Sequence, residues 1–251
     1  MSANRPITLS IAGFDPSGGA GVLADIKTFE QHQVTGFAIL TANTIQTEDE
    51  FIEIQWTDLS FVIHSIETFF DRYKISAVKI GIVPSLDYLN PILSTIKQAS
   101  PSTLIVWDPV LKSSTQFEFM SIEDRLELND TLSKIDLITP NYNEIEILFP
   151  GFITNQSEFQ NKIPTNILLK GGHNPSATGT DRLFLKNEII DLLPSDKKCF
   201  AKHGSGCVLS AAIASNLARN PSLEKACRNA KNYIEKYLNS TPTLIGHHYV
   251  S

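Results

Sequence analysis

The chain has 251 residues, a formal net charge of −6 and a sequence pI near 5.5, and its 21 Lys and Arg are scattered, which argues against a nucleic-acid partner and leaves room for a small charged ligand. The length suits one large α/β domain, expected here over 1–251. Cys199, Cys207 and Cys227 form neither a disulfide framework nor a C-x-x-C zinc pair, and no run of about 18 apolar residues occurs, so a soluble, cytoplasmic chain without a membrane partner is expected.

Residues 7–12 read as a buried strand ending at Gly13, after which a glycine-rich loop over 15–21 opens a helix through about residue 32. A second strand is expected over 36–42. Ile52, Ile54 and Trp56 alternate with Glu53 and Gln55, the period of a strand with one wet face, suited to a small flap. Asp58 reads as the N-cap of a helix whose apolar residues Leu59, Val62, Ile63, Ile66, Phe69, Phe70 and Tyr73 recur at three- and four-residue steps. Strands are expected again at 75–80, 103–107, 135–139 and 166–170 with helices in most gaps, an alternation that builds right-handed crossovers and a mostly parallel sheet. Over 181–193, two apolar runs flank Lys186, Asn187 and Glu188, which predicts an edge hairpin. Two helices close the chain, one from near Ser205 and one over 222–238.

Ligands of open α/β sheets sit beyond the carboxyl ends of the strands. There the sequence collects Gly13 and Asp15, then Gly81, then Asp108 with Pro109, then Pro140 with Asn141, then Lys170 with Gly171, Gly172 and His173. Singly, each fits an ordinary turn; jointly they mark one rim. The run His203-Gly204-Ser205-Gly206-Cys207 precedes an apolar helix, so backbone N–H groups and the helix dipole converge on a place for an anion. The same field is expected to favour the thiolate of Cys207. A G-x-x-x-x-G-K-[ST] loop is absent. Gly19, Gly21 and Ala24 match the dinucleotide turn, but six residues separate Ala12 from Gly19, and no ribose-binding acid stands at Thr41, Ala42 or Asn43, so a nicotinamide or flavin oxidoreductase fits poorly. The carboxamide of Gln46 carries a donor and an acceptor side by side, which matches the ring nitrogen and amino group of an aminopyrimidine.

These pieces resemble, nearly end to end, the hydroxymethylpyrimidine and phosphomethylpyrimidine kinases of thiamin synthesis, members of the ribokinase-like superfamily. The resemblance rests on Ile11 to Gly21, on Ala24-Asp25-Ile26-Lys27-Thr28-Phe29, on Val78-Lys79-Ile80-Gly81, on Asp108-Pro109-Val110, on Thr139-Pro140-Asn141 with Glu144, on Lys170-Gly171-Gly172-His173, and on His203 to Cys207. It implies a three-layer αβα fold with a mostly parallel central sheet and a small edge hairpin or flap. It further implies an ATP- and Mg²⁺-dependent kinase acting on the hydroxymethyl group of 4-amino-5-hydroxymethyl-2-methylpyrimidine, in one step or, acting again on the monophosphate, in two. Cys207 would hold the catalytic position, with Gly204, Ser205 and Gly206 as the anion hole. Gly13, Asp25, Gln46 and Gly81 would surround the pyrimidine, Asn141 and Lys170 would serve ATP, Asp108 and Glu144 would serve magnesium, and the enzyme would be a homodimer. The rivals are a pyridoxal or pyridoxine kinase, which shares the fold and the primary alcohol beside a heteroaromatic nitrogen, and a non-catalytic pyrimidine sensor. The sensor is motivated by departures from the family pattern: acidic residues at Glu48, Asp49 and Glu50, Phe14, and a loop over 111–116 without glycine.

Overall fold

The apolar strands pair, in a computed structural model, into one sheet of order β3-β2-β1-β4-β5-β6-β7-β8-β9. The structure describes residues 5–112, 117–121, 125–159, 162–174 and 176–249; residues 113–116 of the glycine-free loop and 1–4 lie outside the described residues. In chain order the elements are β1 (Ile7–Phe14), α1 (Gly21–Gln31), β2 (Thr35–Gln46), β3 (Phe51–Trp56), α2 (Leu59–Arg72), β4 (Ile75–Ile80), α3 (Leu86–Ala99), β5 (Leu104–Trp107), α4 (Arg125–Ser133), β6 (Leu137–Ile138), α5 (Tyr142–Leu148), α6 (Gln156–Phe159), β7 (Asn166–Leu169), β8 (Asp181–Leu185), β9 (Glu188–Leu192), α7 (Ser205–Arg219) and α8 (Leu223–Asn239). From β2 to β7 all neighbours are parallel, while β3 at one edge and β8–β9 at the other are antiparallel.

Because side chains alternate along a strand, the buried strands feed two cores. Leu9, Ile11, Val78, Ile80, Ile105, Trp107, Ile138, Ile167 and Leu169 pack with α2, α3, α4 and α5 on one face. Ala77, Val106, Leu137, Leu168 and Leu183 pack with α7 and α8 on the other, which α1 joins through Ala24. The same alternation turns Ser10, Lys79, Asp108, Thr139 and Lys170 toward the α1 and α7 side, where an apolar face is interrupted by charge. Helix α2 starts as expected, with the Asp58 carboxylate accepting the Ser60 N–H at 2.8 Å.

Several boundaries differ from expectation, each for a tertiary reason. Strand β2 continues four residues past 42 because β3 pairs with its far end, Ala42 opposite Trp56 and Gln46 opposite Phe51. The wet face expected of β3 also takes Ile52, which is 58% exposed on this edge strand. At 103–107 the strand begins one residue late, since the Thr103 N–H closes a turn on the Ser100 carbonyl at 3.1 Å. Only Leu137 and Ile138 of the expected 135–139 are strand: Ile135 closes a turn on Leu132, and past Thr139 the chain meets Pro140, which has no N–H for a ladder. Among the described residues no helix is long and apolar enough to cross a membrane.

Candidate active site

The carboxyl ends of β1, β4, β5, β6 and β7 converge on the amino end of α7. Gly204 caps that helix with φ 68° and no side-chain hydrogen bond, so the first-turn N–H groups are uncapped by any side chain. A Cβ on Gly204 would lie 2.1 Å from the Gly19 carbonyl oxygen, so only glycine allows the loop after β1 and the loop before α7 to touch. Asp15 ties the two loops together: its carboxylate contacts His203 Nε2 at 2.9 Å and accepts the Ala20 N–H at 2.8 Å and the Ser17 N–H at 2.9 Å. These bonds outweigh burial and hold the Asp15 carboxyl below its ordinary range. The chain beyond α8 then straps the pair, since the His203 N–H donates to the Leu244 carbonyl at 2.9 Å and Ile245 reaches Gly19.

Beside the helix start lies a buried charge cluster. Lys170 Nζ donates to Asp108 Oδ1 at 2.8 Å and stands 3.7 Å from Glu144 Oε2. Thr139 donates to the same Asp108 oxygen at 3.0 Å. A Cβ on Gly206 would fall 3.1 Å from Lys170 Nζ and 3.4 Å from Asp108 Oδ2, which places the ammonium and the carboxylate against the first turn of α7. Burial alone would discharge Lys170, but Asp108 and Glu144 hold its pKa above the ordinary value. Burial likewise opposes the Asp108 anion, yet Lys170 and Lys79 keep its pKa low. Glu144 is raised by burial and by Asp108, against the pull of Lys170. Asn141 and Glu144 complete a capping box at α5, where Asn141 Oδ1 accepts the Glu144 N–H at 2.9 Å and Glu144 Oε2 accepts the Asn141 N–H at 2.7 Å.

A second ammonium, not singled out in the sequence, occupies the other side. Lys79 is fully buried, bonded to Asp25 Oδ2 at 2.8 Å, and Ser10 donates to the same oxygen at 2.6 Å. The signal that could have found Lys79 is a lone charge inside the apolar run 75–80. Asp25, expected at the pyrimidine, is itself fully buried, and its carboxylate oxygen Oδ1 has no hydrogen-bond partner among the described residues. Gly81 adjoins this pair, for a Cβ there would sit 3.1 Å from Lys79 Nζ. Cys207 lies within electrostatic reach of Lys79, Asp108 and Asp25, with the Gly21 amide facing its sulfur. The expected lowering of its pKa is reversed: burial pushes the thiol up, Asp108 and Asp25 add to this, and Lys79 with the Gly21 amide only partly offsets it. Gly13, one residue before the end of β1, presents its carbonyl to Gly21, and Gln46, at the far end of β2, donates to Thr44 Oγ1 at 2.8 Å. Of the predicted residues, then, the cluster at α7 brings together Gly204, Ser205, Gly206, Cys207, Asp108, Asn141, Glu144 and Lys170; Gln46 lies on the β2–β3 hairpin, linked through Thr44 to the Phe14 carbonyl at the end of β1. Two surface cavities of about 320 Å³, one lined by Arg72, Tyr73 and Ser100 and the other by Leu40, Asn43 and Phe61, contain none of these groups.

The two glycines of the α7 loop predict opposite outcomes on alanine substitution. Gly204→Ala strains a left-handed backbone and collides with Gly19, so unfolding should require more than about 1 kcal/mol less free energy. Gly206→Ala keeps a helical backbone and stability in thermal melts, yet sets a methyl beside Lys170 and should lower kcat at least tenfold. Equal turnover in Gly206→Ala and the parent would remove the α7 turn from the reaction.

A model of the family described as phosphomethylpyrimidine kinase matches residues 15–251. The chain is 34% identical to a hydroxymethylpyrimidine/phosphomethylpyrimidine kinase of Aquifex aeolicus, over 95% of this chain and 96% of the relative. A crystal structure of phosphomethylpyrimidine kinase from Clostridium difficile is similar with a TM-score of 0.76 and 30% identity, over 92% of this chain and 98% of that one. The ADP complex of Bacillus subtilis pyridoxal kinase is similar with a TM-score of 0.77 and 25% identity, over 94% of this chain and 92% of that one. The fold is ribokinase-like.

Proposed function

The chain belongs to the phosphomethylpyrimidine kinase family, and from that premise we propose that it transfers the γ-phosphoryl group of ATP to the hydroxymethyl group of 4-amino-5-hydroxymethyl-2-methylpyrimidine and then to the resulting monophosphate. The observation that carries this reading is the uncapped start of α7 flanked by two ammoniums, the half-buried Lys170 and the fully buried Lys79, each held by a carboxylate. Phosphoryl transfer asks little covalent chemistry of a protein; it asks for fixed positive charge around a migrating, highly charged group. Lys170 and the N–H groups of Gly204 to Cys207 serve the phosphoryl, and Asn141 serves the nucleotide. Cys207 stands beside the acceptor alcohol as the group that takes or shares its proton. Gln46 and the free oxygen of Asp25 recognise the aminopyrimidine, between the walls at Gly13 and Gly81.

Asp108 and Glu144 fit a magnesium ion, since this ion takes one or two carboxylates and keeps water and phosphate oxygens for the rest of its shell. A dedicated protein cage is not needed, in keeping with the lack, among the described residues, of any group of three or more His, Cys, Asp or Glu able to hold a metal. When bound, the ion would neutralise charge on the phosphates. The reading further takes 1–251 as one catalytic domain, acting as a homodimer in the cytoplasm.

A coupled ADP-release assay over a panel of hydroxymethyl heterocycles, with products weighed by mass spectrometry, tests the reading. One and then two phosphates on the pyrimidine are expected, at a kcat/KM well above that for pyridoxal. Preference for pyridoxal would move the chain to the sister activity, and pyrimidine binding without ADP release would make it a sensor.

A further inference from the structure

Phe51 opens β3 directly across the hairpin from Gln46. Its ring lies 4.6 Å from that of Phe117 and 5.3 Å from that of Phe119, and these two rings are 5.5 Å apart. Such separations are those of mutually packed aromatic rings. Phe117 and Phe119 belong to the segment that leaves the site at Asp108. Its backbone is tied locally, Val110 N–H to the Asp108 carbonyl at 2.8 Å and Phe119 N–H to the Leu111 carbonyl at 2.8 Å, with Lys112 and Glu118 paired at 3.9 Å. The three rings therefore join the element that carries Gln46 to the element that carries Asp108.

They are not part of the main cores. Phe117 is 38% exposed and Phe51 is half-buried, and neither belongs to the clusters beneath the sheet. The hairpin has little other support on its outer side, because β3 is an edge strand with Ile52 exposed. Its turn is closed, among the described residues, by short-range bonds: Thr47 N–H to the Glu50 carbonyl at 2.8 Å, the Thr47 hydroxyl to Asp49 at 2.8 Å and the Glu50 N–H to the Thr47 hydroxyl at 3.2 Å. Beyond Asn43, where β2 leaves β1, the hairpin is tied to the rest of the described structure by the Thr44 hydroxyl, which donates to the Phe14 carbonyl at 2.8 Å, and by these three rings, which bridge two site-forming segments. We propose that Phe51, Phe117 and Phe119 form an aromatic latch that positions the hairpin, and with it Gln46, at the acceptor end of the site, and so determines affinity for the heteroaromatic substrate without touching the ATP side. The latch rests on the reading of Gln46 as a pyrimidine contact. Its residues act through Gln46 and are positioning residues.

The test uses the full chain with Phe117→Ser, Phe119→Ser and the conservative Phe117→Leu, and with Phe61→Ser as the control for loss of an exposed ring, since Phe61 is 66% exposed on α2. Two readouts are taken. The first is KM for the pyrimidine and for ATP: each serine variant should raise the pyrimidine KM by about two- to tenfold, the range of one aromatic pair, with the ATP KM unchanged, Phe117→Leu close to the parent and Phe61→Ser equal to it. The second needs no substrate. Glu48 and Glu50 lie in the hairpin turn, and a glutamate-specific protease should cut there faster in the serine variants than in the parent. Unchanged cleavage overturns the latch, and faster cleavage with an unchanged pyrimidine KM overturns its positioning role. A parent protein that does not phosphorylate the pyrimidine sinks the kinase reading instead, while the protease rates still decide whether the rings hold the hairpin.

Discussion

Cys207→Ala is expected to lower kcat about a hundredfold or more under saturating ATP, the usual contribution of a positioned proton acceptor. The pH profile distinguishes how the thiol contributes. Burial pushes Cys207 above its ordinary value of 9.0, so the parent is mostly thiol at neutral pH. Below the folded pKa the thiolate fraction grows tenfold per pH unit. The parent rate should therefore climb from pH 7 through pH 9 while the residual rate of Cys207→Ala stays level. A parent profile flat over that span, with the same drop on substitution, would make the thiol a hydrogen-bonding group rather than a base. The sign for stability runs the same way: a raised pKa favours the protonated folded state, so its stabilisation is whole below about pH 9 and is lost as pH rises through the folded value.

The largest effect on stability is expected at the other end of the site floor. Lys79→Met leaves Asp25 fully buried with its ammonium gone and, among the described residues, the Ser10 hydroxyl as its remaining side-chain partner, and breaking such a pair costs about 3–5 kcal/mol. Removing the stranded charge as well, in Lys79→Met with Asp25→Asn, should recover most of that loss, since the new carboxamide still accepts from Ser10 and no unpaired ion is left at that position. Urea unfolding of the parent and the two variants measures this directly. If the double variant is no more stable than Lys79→Met, the loss comes from the lysine stem's packing and not from the unpaired carboxylate.

These two expectations show where reading along the chain succeeds and where it stops. Gly81, Asp108, Asn141 and Lys170 are legible as site residues because each lies at or just beyond the carboxyl end of a strand whose apolar run is local, and strand alternation then aims them at the same layer. Gly204 and Gly206 are legible because their spacing ahead of an apolar helix is itself the feature. The hairpin 181–193 is legible for the same reason. The chemistry of Lys79 is not legible along the chain because its partner Asp25 is 54 residues away, and the link between Asp15 and His203 spans 188 residues. The strap through Leu244 and the triad of Phe51, Phe117 and Phe119 are invisible for that reason too: neither has a period or a motif, and both arise only when separate loops are packed together.

By itself the sequence determined the order of strands and helices, the rim on which the glycines, carboxylates and lysines collect, and the helix start suited to an anion, because periodicity, turns and caps depend on neighbours a few residues away. Tertiary structure decided which charges pair, that β2 outruns β1 to meet β3, and that the Cys207 thiol is held protonated. Burial and Coulomb energies depend on distance through space, and here the nearest charges to that sulfur come from α1, β4 and the end of β5.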